Sequence, residues 1–264
     1  MMQSEWSVQG DGGPALDSAA LARYARDGWV AAPGFFPPRK LAEIDRFTDE
    51  TEARPEVSGA QMVYREPSLL DPNARVIQRI EDFCPHHRGF DGLIRGGRLQ
   101  RAVEQLLGGP AVLFKDKINF KMPGGGGFEP HQDQQAGWSA YAPLFVTAMV
   151  SIDVATIENG CLEVATSPRQ TGLIGREWAP LTPTDMSAFA LVPVPTLPGD
   201  VLFFDSYVPH ASKPNLSGGR RRILYLTYNR ASDGDHRARY YADKRLSFPP
   251  DIDRLPGVEY RFRV

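Results

Sequence analysis

His131-Gln132-Asp133 sets an imidazole and a carboxylate two residues apart, the spacing that sends both side chains to one face of an extended segment. A third ligand is available in His210, within DSYVPHAS directly after the apolar run VLFF. Two imidazoles and one carboxylate around a metal leave coordination positions open. That is the facial triad suited to non-haem Fe(II), which needs room for O2 and for a chelating cosubstrate. His-x-Asp alone also occurs as a hydrogen-bonded surface pair, so the pattern needs support from elsewhere in the chain.

Support comes from Arg221, eleven residues after His210 and inside the run Arg220-Arg221-Arg222. A guanidinium holds a carboxylate through two parallel hydrogen bonds, which a lysine cannot reproduce. The distal carboxylate of 2-oxoglutarate requires such a partner while its keto-acid end chelates the metal. Three arginines after SGG could also begin a solvated strand. Alternation along ILYLTYN separates the two roles, because it puts Arg221 on the face opposite Arg220 and Arg222.

HQD, ENGCLEV, PGDVLFFDSYVPHAS, the PN of KPN and the arginine eleven residues after the second histidine together resemble the phytanoyl-CoA dioxygenase family over roughly residues 20 to 230. The resemblance implies Fe(II) on His131, Asp133 and His210, and 2-oxoglutarate on Arg221 with help from Ser212. It also implies O2 as second cosubstrate and release of succinate and CO2. A carboxylate ligand at Asp133 implies hydroxylation, since related halogenases lack that ligand. The chain departs from the family after ENGCLEV, where ATSPRQ replaces a PGSH-like turn, so contacts of that turn do not carry over.

More narrowly, KINFKMPGGGGFEPHQDQQAGW, DSYVPHASKPN and YYADKR followed by FPPD resemble the organophosphonate hydroxylases. These act on the carbon beside phosphorus in 2-aminoethylphosphonate or its N-methylated relatives. Lys115, Lys117, Asn119 and Lys121 share one strand face by their odd spacing. Asn119 lies twelve residues before His131, where related hydroxylases place an asparagine near the cosubstrate. Such a substrate needs cations or amides at the phosphonate and a carboxylate or aromatic face at the ammonium. Lys117, Asn119 and Gln135 are candidates for the first end; Tyr141, Asp205, Tyr207 and Glu163 are candidates for the second. A natural product or acyl-CoA would be the alternative substrate, and a catalytically inactive β-barrel binding protein the alternative without chemistry.

The elements that must position these groups fall into two textures. Asp17 caps a helix carrying Leu21, Tyr24 and Ala25; Leu41, Ile44 and Phe47 follow Pro37-Pro38 as a second; residues 75 to 83 read as a third and Leu99 to Leu107 as a fourth. From Ala111 onward, AVLFKDKINFKM, FVTAMVSIDVA, CLEVA, DVLFFDS and RRILYLTYN are short β-branched and aromatic runs between turn signals. The expectation is one α+β domain over 1–264: a helical layer at about 15–108, a double-stranded β-helix (jelly-roll, cupin-like) core at about 111–232, and an extended segment at 233–264. That last segment would act as a lid or cap the core.

With 42% apolar residues the chain can bury a core, and 30 basic against 32 acidic residues offer no overall attraction to nucleic acid. No apolar run approaches the roughly 18 residues of a bilayer span, and the start MMQSEWSVQGDGG lacks an apolar signal core. These features predict a soluble cytoplasmic enzyme acting on a small molecule, of no stated oligomeric state. Cys84 and Cys161 are too few for a disulfide framework.

Overall fold

In the computed structural model, which describes residues 14–166 and 168–260, the helical layer begins as its caps dictate. The Asp17 carboxylate accepts from the Ala20 N–H at 2.7 Å, starting α1 (Ser18–Asp27), and Gly28 ends it in the left-handed region. Strand β1 (Trp29–Ala32) leads to α2 (Pro38–Glu52), which has proline in its first turn. Helices α3 (Arg88–Ile94) and α4 (Gly97–Leu107) follow, and α4 buries Leu99, Ala102, Val103 and Leu107 on one stripe. The start of the chain, on which the absence of a signal core was read, lies outside the described residues.

The expected third helix is instead a hairpin, β2 (Met62–Pro67) with β3 (Arg75–Glu81). Val76, Ile77 and Ile80 satisfy a helical period, but they are β-branched. They also find a free edge on β4 (Ala111–Lys121), where Arg79 pairs with Asn119 and Glu81 with Lys117. An available ladder outweighed the period.

The remaining strands are β5 (Phe128–His131), β6 (Phe145–Ser151), β7 (Leu162–Ala165), β8 (Leu191–Val194), β9 (Val201–Asp205), β10 (His210–Ser212) and β11 (Arg221–Arg230). They form a seven-stranded sheet, β1-β9-β6-β11-β4-β3-β2, and a four-stranded sheet, β5-β10-β7-β8. All the pairings are antiparallel. The core of the chain is thus the α+β jelly roll with supporting helices. Side-chain period decides which layer each residue joins: Val146, Ala148, Val150, Leu224 and Leu226 pack against the helices, while Met149, Ile223 and Tyr225 face the smaller sheet. On β4 that inner face carries Lys115, Lys117, Asn119 and Lys121, opposite Thr227, Tyr225, Ile223 and Arg221 of β11.

The C-terminal stretch is not extended throughout. Arg237–Ser247 forms α5, because its turn breakers lie outside it: Gly234 before, Pro249-Pro250 after. Its buried residues Arg237, Tyr240, Tyr241 and Lys244 follow helical spacing. Arg237 pairs with Asp82 and Asp116, and Lys244 pairs with the fully buried Glu81. Tyr240 and Tyr241 join Phe114, Trp138 and Phe145 in an aromatic cluster closing one end of the sheets. Residues 261–264 of the predicted segment lie outside the described residues, and among those described no helix is long and apolar enough to cross a membrane.

Candidate active site

Strands β5 and β10 are neighbours in the smaller sheet, with His131 and His210 as register partners. Their rings lie 4.3 Å apart between centroids. Asp133 opens the 3-10 turn Asp133–Ala136 immediately after β5, and a ligand atom from each of the three residues lies within 4.8 Å of the others. Gln132 between them is fully buried. Its side-chain amide donates to the carbonyls of Gly172 and Tyr207 and accepts from the Ile174 N–H, which ties the turn to two other segments.

Both histidines are pre-set as ligands. His131 Nδ1 lies 2.7 Å from the Glu129 carbonyl and His210 Nδ1 lies 2.9 Å from that of Val208. A carbonyl only accepts, so each Nδ1 carries the hydrogen and each Nε2 keeps its lone pair for a metal. Burial, with His210 alongside, pushes His131 down to about 3, so it is neutral near pH 7. Burial acts to raise the Asp133 carboxyl, but His210, His131 and Lys117 outweigh it and hold it below the usual range. Two imidazoles, each with its Nε2 turned away from a backbone acceptor, and one carboxylate fit a divalent cation of the iron type.

Arg221 is 1% exposed, and its Nε and Nη1 have no hydrogen-bond partner. Among the described residues no carboxylate lies within ion-pair distance of it. The Tyr225 hydroxyl lies against both Arg221 and Asn119, and the Asn119 Oδ1 is likewise buried without a partner. Unbonded buried charge of this kind is what an absent anion would satisfy. The neighbouring arginines behave as alternation requires. Arg222 bonds Asp153, Asp49 and Asp45 on the helical side, and Arg220 pairs with Asp49 and Glu52 at the surface. Ser212 sits on β10 two residues past His210, and its Oγ accepts from Lys121 Nζ at 2.8 Å.

Lys115, Lys117, Asp133, His210 and Tyr225 converge on a small cavity between the sheets, with Trp138 in its wall. Neither lysine has a carboxylate within ion-pair distance among the described residues. Burial, with Lys115 adding repulsion, lowers Lys117 to about 7. Lys115 also lines a larger cavity of about 660 Å³, walled by Tyr141, Trp178, Tyr240 and Asp243. Tyr141 donates to Asp243 at 2.6 Å there.

The other residues read from sequence lie elsewhere. Gln135 is fully buried and uses its whole amide on backbone groups, donating to Arg176 and Ala179 and accepting from Gln132. Asp205, at the end of β9 in the larger sheet, is fully buried against Arg169, 2.7 Å away. Tyr207 donates to the Pro143 carbonyl at 3.0 Å, and Glu163 pairs with Lys213 at 3.3 Å beside Ala211, on the face of β10 opposite His210. These four residues near motifs in sequence are bonded to backbone groups or to Arg169 and Lys213, and none of them lines the two cavities. Lys115, which the odd spacing puts on the strand face of Lys117 and Asn119, lines the cavity too, and so does Tyr225, a residue not named from the sequence; Tyr225 was legible, since four residues past Arg221 it shares that strand face.

The family profile described as Phytanoyl-CoA dioxygenase (PhyH) matches residues 24–223. A 2-aminoethylphosphonate dioxygenase from an uncultured bacterium (HF130_AEPn_1) is 39% identical over 235 residues, covering 89% of each chain. A methylphosphonate hydroxylase from Gimesia maris is 36% identical over 256 residues, covering 93% of each. Among solved structures, apo EctD from S. alaskensis superposes with a TM-score of 0.70 at 20% identity, covering 87% of this chain and 81% of that one.

Proposed function

The chain belongs to the phytanoyl-CoA dioxygenase family, and from that premise we propose that it hydroxylates the carbon bonded to phosphorus in a small aminoalkylphosphonate. It is an Fe(II)- and 2-oxoglutarate-dependent dioxygenase acting on a small molecule. In this reading His131, Asp133 and His210 hold the iron, and Arg221, Ser212 and Asn119 hold the 2-oxoglutarate.

The observation that carries the substrate reading is the pair Lys115, buried, and Lys117, half-buried, neither with a carboxylate within ion-pair distance among the described residues and both lining the cavity beside Asp133 and His210. An acyl thioester gives such a pair nothing to neutralise. A phosphonate gives it two negative charges, and the desolvation already incurred at the lysines favours binding an anion there. Lys115 and Lys117 would grip the phosphonate, leaving the adjacent carbon toward the metal. The ammonium end would face the larger cavity on the other side of Lys115, where Tyr141 and Asp243 supply an aromatic face and a carboxylate. Names of the two relatives, acting on aminoethyl- and methylphosphonate, support the same class.

When bound, the iron supplies O2 activation coupled to decarboxylation of 2-oxoglutarate to succinate and CO2. The protein's part is geometric. Arg221 fixes the cosubstrate from its far end, Nδ1–H bonds to Glu129 and Val208 hold the two imidazoles in orientation, and the aromatic cluster around Trp138 limits water.

The test is O2-dependent succinate formation by Fe(II)-loaded enzyme across 2-aminoethylphosphonate, its mono-, di- and trimethyl forms, methylphosphonate and an acyl-CoA, with products read by phosphorus NMR. Coupled turnover of a phosphonate and a hydroxyl on the carbon next to phosphorus are expected. Turnover of the acyl-CoA alone would overturn the substrate reading and leave the oxygenase.

A further inference from the structure

We infer that Lys121 is a positioning residue for the cosubstrate, directing the Ser212 hydroxyl so that it donates to the carboxylate held by Arg221. This rests on the reading of Arg221 and Ser212 as the cosubstrate end of the pocket.

Lys121 ends β4 and is 3% exposed. Its Nζ donates to Ser212 Oγ at 2.8 Å, to the Gly160 carbonyl at 3.4 Å and to the Lys213 carbonyl. All three acceptors are neutral oxygens, and among the described residues no carboxylate lies within ion-pair distance of the ammonium. Three donors thus meet three acceptors, and an ammonium has no lone pair to offer back. Ser212 Oγ must therefore accept from Lys121, which leaves its own hydrogen for another partner. Arg221, the register partner of Lys121 on β11, accepts nothing either. With Lys121 donating to the hydroxyl and Arg221 next to Lys121 on the neighbouring strand, neither cation can take the hydroxyl hydrogen, which is left for an incoming anion.

The surroundings allow this arrangement little slack. A Cβ on Gly160 would lie 2.1 Å from the Lys213 carbonyl oxygen and 3.0 Å from Lys121 Nζ; one on Gly127 would lie 2.4 Å from the Ser212 carbonyl oxygen. The Asn215 side chain donates to the Lys121 carbonyl at 2.8 Å, fixing the strand end from the other side. Burial pushes Lys121 down to about 7, Arg221 pushes the same way, and Glu66, Cys161 and Glu163 pull it up. A carboxylate arriving between Lys121 and Arg221 offsets their repulsion and favours the charged lysine.

The test is the Kd of 2-oxoglutarate for Fe(II)-loaded enzyme, measured anaerobically at pH 6.5 by calorimetry. It compares wild type, Lys121→Met, Ser212→Ala and the double variant. Each single change should weaken binding about tenfold, the usual effect of losing a hydrogen bond to a charged group. The double variant should be no weaker than Ser212→Ala, because Lys121 acts through that hydroxyl. In turnover, the loss should fall on KM for 2-oxoglutarate and not on KM for the phosphonate. Should Lys121→Met fail to fold, Lys121→Gln serves: its amide retains donors for the two carbonyls, while its Oε1 can also accept from Ser212. A loss of a few-fold is expected, and it should vanish in the Ser212→Ala background. Unchanged binding in the lysine variants, or losses that multiply in the double variant, would overturn the role. Arg221→Leu in the same titration stands apart: unchanged binding there would remove the pocket reading itself, whatever Lys121 does.

Discussion

Arg221→Leu should move stability and affinity in opposite directions. Without cosubstrate the guanidinium is buried with Nε and Nη1 unbonded, and an unsatisfied buried group of this kind costs about 1–3 kcal/mol. Leucine removes that cost, so the cosubstrate-free protein should unfold at the same denaturant concentration as wild type or higher. With cosubstrate the sign reverses. Breaking a buried, hydrogen-bonded charge pair costs about 2–5 kcal/mol. At about 1.4 kcal/mol per decade, Kd for 2-oxoglutarate should rise between about thirtyfold and several thousandfold. Arg222→Leu is the internal control. Arg222 donates to Asp153, Asp49 and Asp45 at 2.7–2.9 Å, but those carboxylates are partly exposed, so its loss should cost only about 1–2 kcal/mol of stability. Its Kd for 2-oxoglutarate should be unchanged, because it points to the helical side of the sheet. Chemical denaturation with and without 2-oxoglutarate, together with calorimetry, gives all four numbers. A raised Kd in Arg222→Leu, or an Arg221→Leu protein that is destabilised yet binds normally, would refute the face assignment.

Asp133→Ala should lose iron on desalting and show no hydroxylation, as metal analysis and succinate release would report; near-normal turnover would exclude Asp133 as a ligand. For Lys117, which burial lowers to about 7, kcat/KM for the phosphonate should fall as pH rises through that value, because the proton that pairs with the phosphonate is lost from the free enzyme. Lys117→Met should lack that descending limb and bind the phosphonate at least about tenfold more weakly. Gly160→Ala should destabilise by about 1–3 kcal/mol, since φ is +74° and the new Cβ would meet the Lys213 carbonyl oxygen at 2.1 Å, as urea denaturation would show. Lys244→Met should lower stability by about 3–5 kcal/mol by leaving the fully buried Glu81 with Arg79 as its remaining ion-pair partner; an unchanged midpoint would show that α5 is not anchored there.

That His131, Asp133 and His210 come together was legible because it depends on short-range periodicity. Alternation within HQD and a histidine after an apolar strand suffice to name three residues, and alternation within RRR suffices to choose Arg221. The helix ends at Asp17, Gly28 and Gly108 were legible for the same reason, since a cap is decided by a few neighbouring residues. Residues 75–81 were misread because Val76, Ile77 and Ile80 satisfy a helical period as well as a strand, and only the open edge of β4 decides between them. Residues 237–247 depart from the extended expectation because Gly234 and Pro249-Pro250 bound the segment and leave its interior free of breakers.

Proximity along the chain did not predict which residues line the cavity. Gln135, Asp205, Tyr207 and Glu163 all lie beside motif residues, yet each is bound to backbone or to a charge outside the cavity. Lys115 and Tyr225 lie on strands β4 and β11, and Tyr240 arrives from a helix more than a hundred residues away from Trp138. By itself the sequence determined the residue types of the His131-Asp133-His210 cluster, their spacing and the strand face of Arg221, because each is local to one strand or turn, and the combination of its motifs carried the family. Which side chains share the cavity, which cations lack partners and which polar residues serve the scaffold were decided only by the tertiary structure. The physical reason is that burial and pairing are properties of neighbours in space, and here those neighbours come from two sheets and a C-terminal helix that meet only in the folded chain.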